Sequence, residues 1–361
     1  MQQPDICVMY GDDPYSMTRE LLRRFSPSLP QGGTVAIKPN LVLPSPAEEG
    51  ATTHPQIAAA VIDWLREQGV TDLFVAESAW VGADTAEAAR VCGFETLCKV
   101  KNVPFYDLKQ DGFVTRTVAG VPMDVSRRML EADLIVNLPV LKGHCQTGMT
   151  CALKNMKGCL SDSSKRQFHA LGLHKPIAAL NSILPRQLAV VDGICGDLDF
   201  EEGGSPVYGG CIYAGTDPVL LDCYGAVLLG FLPDEIAYLS MAAQLGVGSM
   251  ALEQAVVAAL NTAAPGRARP VSARRVGRLA KHLCQDKACS ACYAATVRAL
   301  ARLEDSGGLE RLGEQLYLGQ GWRGKHLDKA GIGSCTEGFR CTLPGCPPTA
   351  AAILAFLTAK G

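Results

Sequence analysis

Short apolar runs alternate with amphipathic stretches along roughly the first 260 residues of the chain. The apolar runs include ICVMY, TVAI, LFVA, LIVNL and LAVV, and stretches such as SMTRELLRRF and IAAAVIDWLREQ carry apolar residues at helical spacing. Strands that alternate with helices are typical of βαβ units, in which helices cover both faces of a parallel sheet. The pattern therefore predicts an α/β fold with a mainly parallel sheet and helices on both faces.

A change of composition predicts a domain boundary. The stretch NTAAPGRARPVSARR, residues 261–275, is rich in Pro, Gly, Ala and Arg and has the character of a linker. We therefore predict an α/β domain over residues 1–262, a linker over 263–275, and a smaller cysteine-rich α/β segment over 276–361. The last segment is predicted to contain a cysteine-bearing helix, a strand at EQLYLGQG and a final helix through TAAAILAFLTAK.

Composition narrows the possible partners and locations. The formal charge of -2 gives the chain no global attraction to nucleic acids or anionic membranes. The N-terminal stretch MQQPDICVMY has no basic region followed by an apolar run, and no apolar run approaches the ~20 residues that span a bilayer. These features predict a cytoplasmic protein that binds neither nucleic acid nor membrane.

Fifteen cysteines are many for a cytoplasmic chain, where thiols are either packed in the core or bound to metal. Cys289 and Cys292 form a CxxC before an apolar helix, whose first backbone N–H groups favour thiolates. The stretch GIGSCTEGFRCTLPGCPP adds Cys335, Cys341 and Cys346, the last followed by proline. Spacing leaves three alternatives: an iron–sulfur cluster, a zinc site, and a structural role without a cofactor. Zinc ribbons usually present a second CxxC, which this sequence lacks.

The order CxxC, helix, GxC, GCPP, helix resembles the proximal cluster site of nickel–iron hydrogenase small subunits and a related subunit of respiratory Complex I. The resemblance implies a 4Fe-4S cluster held by Cys289, Cys292, Cys335 and Cys346. It also implies that the protein has to be purified under anaerobic conditions. The interval from Cys335 to Cys346 is shorter than in the hydrogenase subunits. Cys341 is therefore an alternative third ligand, and Cys284 is a weaker one.

A second resemblance covers residues 33 to about 245. The segments IKPNLV, TTHPQIAAAVIDWLREQG and LPVLKGH followed by ALKNMKG are similar to the family called domain of unknown function 362. The resemblance implies the fold of that family, but its name supplies no reaction.

Polar residues stand where predicted strands end, and ligands of open α/β sheets bind beyond the carboxyl ends of the strands. Cations and imidazoles at such an edge suit a small carboxylate or phosphate, so we predict a small anionic substrate. Simpler interpretations stay open, since His54 also fits a helix cap and a lysine after a strand is usually a surface charge. The predicted catalytic residues are Lys142, His144 and His169, and the predicted substrate-binding residues are Lys38, Asn40, His54, Lys154 and Asp192.

These features lead to one main hypothesis and two alternatives. The main hypothesis is a redox enzyme whose 4Fe-4S cluster exchanges electrons with a small anionic substrate. The first alternative is a non-redox isomerase, lyase or racemase in which the cluster is structural. The second is an electron-transfer or redox-sensing module that docks on a partner protein.

Overall fold

A computed structural model describes residues 3–198, 203, 206–262 and 274–359 of the chain. In this part of the chain the strands are β1 Ile6–Tyr10, β2 Val35–Pro39, β3 Leu73–Glu77, β4 Phe105–Asp107, β5 Phe113–Val118, β6 Val121–Ser126, β7 Leu134–Leu138, β8 Lys142–His144, β9 Gly148–Thr150, β10 Gln187–Asp197, β11 Pro206–Gly215, β12 Val257–Ala259, β13 Leu283–Gln285, β14 Leu316–Leu318, β15 Ala330–Ile332 and β16 Cys341–Leu343. The α-helices are α1 Pro14–Phe25, α2 Pro55–Glu67, α3 Thr85–Val91, α4 Phe94–Lys101, α5 Arg127–Glu131, α6 Ala152–Asn155, α7 Asp162–Leu171, α8 His174–Asn181, α9 Pro218–Leu228, α10 Ala237–Gln244, α11 Arg274–Leu279, α12 Ser290–Asp305 and α13 Ala350–Thr358.

The larger sheet has eight strands in the order β12-β1-β11-β10-β7-β2-β3-β4. Strand β11 is antiparallel to both of its neighbours, and the other seven strands point the same way. The chain runs outward from β2 to β3 and β4 and returns on the other side of β2 as β7. Strands β2 and β7 therefore form the switch point, where open α/β sheets bind ligands.

Both faces of the larger sheet are buried, as the apolar runs predict. Along β2, Val35 and Ile37 point into one hydrophobic core, and Ala36 points into the core on the other face. The first core includes Leu21 of α1 and Ile57 of α2, while the second includes residues of α8, α9 and α10. Because successive side chains of a strand face opposite ways, a strand covered on both sides reads as a continuous apolar run. The predicted fold class is confirmed.

The smaller sheet lies near the C-terminus and contains four parallel strands in the order β13-β14-β15-β16, each three residues long. Sequence patterning predicts only β14 among them, because three-residue strands are too short for a period to be visible. Leu300 of α12, Ile332 of β15 and Ile353 of α13 belong to a third hydrophobic core. Two hairpins, β5 with β6 and β8 with β9, complete the sheets of the described residues.

We call residues 276–359 the cysteine segment. The predicted linker, residues 263–275, lies outside the described residues apart from its last two positions, so the division into two domains stays a prediction. The cysteine segment contacts the rest of the chain directly, for example where Gln146 Nε2 donates a hydrogen bond to the Ala288 carbonyl at 2.9 Å. None of the described helices combines the length and the apolar character needed to cross a membrane.

Candidate functional site

A cavity of about 540 Å³ lies at the carboxyl ends of β2 and β3. Its walls are the loops that follow these strands, the region from β9 through α6 to α7, and the cysteine segment. We call it the central cavity. It lies close to the sheet's switch point, and its size is that of a pocket for a small organic ligand.

Three of the four candidate cluster cysteines line one end of the central cavity: Cys289, Cys335 and Cys346. The fourth, Cys292, lies close enough to these three that their charges raise its pKa. Cys292 is buried, Cys289 and Cys335 are half-buried, and Cys346 is exposed. The structure thus gathers the four predicted ligands, which come from positions up to 57 apart in the chain (346 − 289).

Local electrostatics favour a thiolate at this end of the cavity. Cys289 is the N-cap residue of α12, and Cys292 lies in the first turn of that helix. The pKa of Cys289 is lowered to about 6, mainly by a hydrogen bond from Cys292 and further by the positive charge of Arg323. The pKa of Cys292 is raised, chiefly because it makes that bond to Cys289 and secondly because it is buried. The unpaired N–H groups of a helix N-terminus act in the same direction on the thiolate.

Two glycine-containing loops hold the other two cysteines together. Ser334 N donates to the Gly345 carbonyl at 2.9 Å, and Gly345 N donates to Ser334 Oγ at 3.2 Å. Gly333 has a φ of 88°, and a Cβ at this position would lie 3.2 Å from Cys292 Sγ. A side chain here would both strain the backbone and crowd the sulfur atoms, so this position suits glycine.

The four cysteines fit the requirements of a 4Fe-4S cluster in their chemistry and arrangement. Three of them line one cavity and the fourth, Cys292, adjoins them, beside a helix N-terminus and a guanidinium group. In the described part of the chain, no three His, Cys, Asp or Glu side chains surround a point as they would a single bound metal ion. A 4Fe-4S cluster would take Cys289, Cys292, Cys335 and Cys346 as its ligands and would supply electron transfer.

The alternative ligands Cys341 and Cys284 occupy different positions. Cys341 begins β16 and is paired with Ala330 of β15 in the smaller sheet. Cys284 lies in β13 opposite Tyr317 of β14. The lining of the central cavity, as formed by the described residues, contains Cys335 and neither of these two. The choice of Cys335 over Cys341 as third ligand stays a prediction.

The wall of the cavity formed by residues 150–169 is rich in positive charge. Its basic residues are Lys154, Lys157, Lys165, Arg166 and His169. Lys154 Nζ donates to Thr150 Oγ1 at 3.1 Å, and Lys157 Nζ lies 3.3 Å from His169 Nε2. Arg323 adds a sixth basic side chain from the cysteine segment. This concentration of cations favours an anionic ligand.

Lys165 is a buried cation of this wall. Its Nζ donates to the Ser78 carbonyl at 3.1 Å, to Ser78 Oγ at 2.5 Å and to the Ala79 carbonyl at 2.8 Å. Burial lowers the pKa of Lys165 to about 8. The lysine therefore ties α7 to the loop after β3, and it can exchange a proton near neutral pH.

Lys38 and Glu77 form a buried ion pair at the edge of the cavity, whose lining includes Glu77, with Lys38 Nζ 2.8 Å from Glu77 Oε2. Glu77 also accepts hydrogen bonds from the backbone N–H groups of Leu41 and Ser78. Gly158 lies directly against the pair, and a Cβ there would overlap Glu77 Oε1 and lie 2.7 Å from Lys38 Nζ. The closeness of this backbone to two buried charges explains the glycine in the ALKNMKG motif.

The predicted site residues divide into two groups. Asn40, Lys154 and His169 line the central cavity. The other five lie outside its lining, as far as the described residues form it: Lys38, His54, Lys142, His144 and Asp192. Their predicted roles stay predictions.

Each residue of the second group holds backbone or a neighbouring side chain in place. Lys142 Nζ donates to the Ala51 carbonyl at 2.6 Å, and His144 Nδ1 accepts from Gln146 N and Thr147 N, both at 3.1 Å. His54 is the N-cap residue of α2, where its Nδ1 accepts the Gln56 N–H at 3.2 Å.

Asp192 supports that same helix start from β10. One of its carboxylate oxygens accepts the His54 N–H at 2.9 Å, and the other accepts the Ile194 N–H at 3.1 Å. Burial is the main cause that raises the pKa of Asp192. Buried carboxylates need such hydrogen bonds, so these contacts stabilise the side chain where it lies.

Sequence analysis did not identify Lys157, Lys165, Arg166 or Arg323 as part of the site. For Lys165 a signal exists, because it stands four positions before His169 on α7 and such residues share one helix face. For Arg323 no comparable signal exists. Its approach to Cys335 depends on how β14 and β15 pair, which three-residue strands do not reveal in a sequence.

This chain matches one family and is similar to several known proteins. The family described as "Domain of unknown function (DUF362)" matches residues 35–227. A thylakoid-associated protein of Synechocystis is 26% identical over 233 residues, which cover 62% of this chain and 71% of the relative.

Two solved structures are also similar. One is a protein of Thermotoga maritima, with 16% identity and a TM-score of 0.40, matched over 64% of this chain and 60% of that one. The other is the lactate racemase apoprotein of Thermoanaerobacterium thermosaccharolyticum, with 14% identity and a TM-score of 0.42, matched over 65% of this chain and 58% of that one. The matches span less than two thirds of either solved chain.

Proposed function

The chain belongs to the domain of unknown function 362 family, and from this premise we propose that it is an iron–sulfur redox enzyme that acts on a small organic anion. The proposed substrate site is the central cavity. The proposed cluster ligands are Cys289, Cys292, Cys335 and Cys346.

One observation carries the proposal: a single cavity is lined by candidate cluster ligands at one end and by basic side chains along its wall. Electron transfer needs a short path between donor and acceptor, and a shared cavity provides it. The shared lining therefore supports a joint role for the cluster ligands and the basic side chains.

A cluster with four cysteine ligands supplies single-electron transfer and leaves no iron position open for substrate. Binding and orientation of the substrate therefore fall to the chain itself. Arg166 and Arg323 present planar guanidinium groups suited to a carboxylate or phosphate. Lys154 and Lys157 add positive charge to the same wall.

Reduction of an organic anion takes up protons together with electrons. His169 and Lys165 both line the cavity, and we assign them the transfer of these protons. A pKa of about 8 keeps a part of Lys165 neutral and most of it protonated near pH 7, which suits a general acid. Lys142 and His144, which hold backbone outside the lining, would position the cavity wall.

The cavity favours an enzyme over a module that only docks on a partner protein. A docking module requires an exposed cluster edge and no pocket, whereas here three of the cysteines face a cavity of about 540 Å³. Apolar side chains such as Val42, Leu43 and Trp80 share the lining with the cations, as in pockets for small organic ligands.

Anaerobic purification followed by iron, sulfide and zinc analysis tests the proposal. We expect about four iron and four sulfide per chain, and an EPR signal after reduction with dithionite. Zinc without acid-labile sulfide would mean that the cysteines form a zinc site. An intact cluster that dithionite and stronger reductants leave unreduced would favour the non-redox isomerase, lyase or racemase instead.

A further inference from the structure

Arg323 occupies an unusual position, because one side chain reaches both the candidate cluster ligands and the substrate cavity. Its Nε donates a hydrogen bond to Cys335 Sγ at 3.4 Å, and the residue also lines the central cavity. Its charge acts on Cys289 and Cys346 as well. Three of the four candidate ligands therefore feel this guanidinium group.

The backbone that carries Arg323 is held firmly although its side chain is exposed. Gln320 N donates to the Lys287 carbonyl and Gly321 N donates to the Asp286 carbonyl, which joins the loop to the chain just before α12. The neighbouring Trp322 ring packs edge-on against Tyr317 at 5.1 Å and Phe339 at 6.0 Å between ring centroids. Rigid anchoring of this kind lowers the entropy lost when the side chain holds one position.

We infer that Arg323 sets the reduction potential of the cluster by raising it. The inference rests on the proposed function, since it assumes a cluster on these cysteines. Reduction adds one electron, and hence one negative charge, to a group whose ligands are already thiolates. A guanidinium group bonded to a ligand sulfur stabilises that added charge, so the reduced state is favoured. Arg323 is thus a positioning and tuning residue rather than a cluster ligand.

The test compares midpoint potentials of the anaerobically prepared protein and three variants, measured by EPR during titration with dithionite. Arg323→Gln removes the charge, and Arg323→Lys keeps the charge but loses the planar donor. Lys325→Gln is the matched control: Lys325 is a nearby exposed cation whose Nζ lies 4.5 Å from the centre of the Trp322 ring. We expect a more negative midpoint for Arg323→Gln, a smaller negative shift for Arg323→Lys, and a midpoint near that of the wild type for Lys325→Gln.

Equal midpoints for Arg323→Gln and Lys325→Gln would overturn the inference. If Arg323→Gln does not retain its cluster, Arg323→Lys becomes the test. The inference then requires that its midpoint potential lies below that of the wild type. A wild-type protein without iron and sulfide would instead refute the proposed function, so the two failures are distinguishable.

Discussion

The crevice of the larger sheet and the cysteine segment both carry candidate functional groups, but they use them differently. In the crevice, Lys38 is paired with Glu77, and Asp192 accepts two backbone N–H groups. At the cysteine end, Cys289 and Cys335 are only half-buried and Cys346 is exposed toward the cavity. Several polar residues after the strands thus hold other parts of the fold in place, whereas three cysteines of the facing segment line the cavity.

The physical reason lies in how each region buries charge. Parallel strands crowd their carboxyl ends together, so a lysine or aspartate there is removed from water and needs a partner inside the protein. The cysteine segment has a small sheet of three-residue strands, and three of its cysteines, Cys289, Cys335 and Cys346, line the cavity. Groups that remain available to a cofactor or ligand are therefore concentrated on that side and on α7.

The largest expected effect distinguishes the two candidate third ligands. Cys335→Ser should lose most of its iron and sulfide, because Cys335 faces the cavity beside Cys289 and Cys346. Cys341→Ser, the matched control, should keep its cluster, because Cys341 is paired with Ala330 of β15 and lies outside the cavity lining that the described residues form. Metal analysis of anaerobically purified variants measures both. Cluster loss in Cys341→Ser with retention in Cys335→Ser would reverse the assignment.

The second prediction concerns the ion pair at the edge of the cavity. Lys38→Met leaves Glu77 buried without its cation, so we expect unfolding free energy to fall by about 3 to 5 kcal/mol. Lys38→Met combined with Glu77→Gln should recover part of this loss, since no unpaired charge remains. Urea unfolding measures both.

A matched control for Lys38 is Lys99→Met, because Lys99 pairs with Glu95 on the exposed face of helix α4. For Lys99→Met the unfolding free energy should fall by less than about 0.5 kcal/mol. A loss in Lys38→Met no larger than that in Lys99→Met would show that the buried pair is not a structural support, and the contrast between the two regions would fail.

The third prediction uses pH to test Lys165. Because burial lowers its pKa from 10.5 to about 8, the folded chain binds fewer protons at this site than the unfolded chain between these values. Stability therefore rises with pH across that window, by up to about 3 kcal/mol relative to Lys165→Met. Urea unfolding of both proteins from pH 7.5 to pH 10.5 measures the difference, and a constant difference would mean that Lys165 has its ordinary pKa.

Sequence patterning predicts the larger sheet well and the smaller one poorly. Buried strands such as β2 and β7 are visible because five consecutive residues are buried in each. The four cysteines are visible because their motifs are local. The cation wall is not, because Lys165 and Arg323 reach the cavity only through tertiary packing, and because the partner of a buried lysine such as Lys38 lies 39 positions away. A lysine that supports the fold and one that binds a ligand look alike in a sequence.

The smallest expected effect tests whether the two regions unfold separately, as the predicted boundary over residues 263–275 implies. Asp13 caps α1 in the larger domain, and Thr349 caps α13 in the cysteine segment. Substitution of either cap residue with Ala should lower the unfolding free energy by about 1 kcal/mol. Trp64 and Trp80 report on the larger domain and Trp322 on the cysteine segment, so Trp322→Phe and the double variant Trp64→Phe with Trp80→Phe provide separate fluorescence probes.

If the regions unfold separately, Asp13→Ala shifts only the urea transition seen by Trp64 and Trp80, and Thr349→Ala shifts only the one seen by Trp322. Coincident transitions that both substitutions shift equally would show one cooperative unit and would make the predicted boundary wrong. In that case the cavity walls from the two regions would stabilise each other even without a cofactor. Separate transitions would instead leave the bound cluster and ligand as the main source of their coupling, since whatever binds only the assembled site stabilises both walls together.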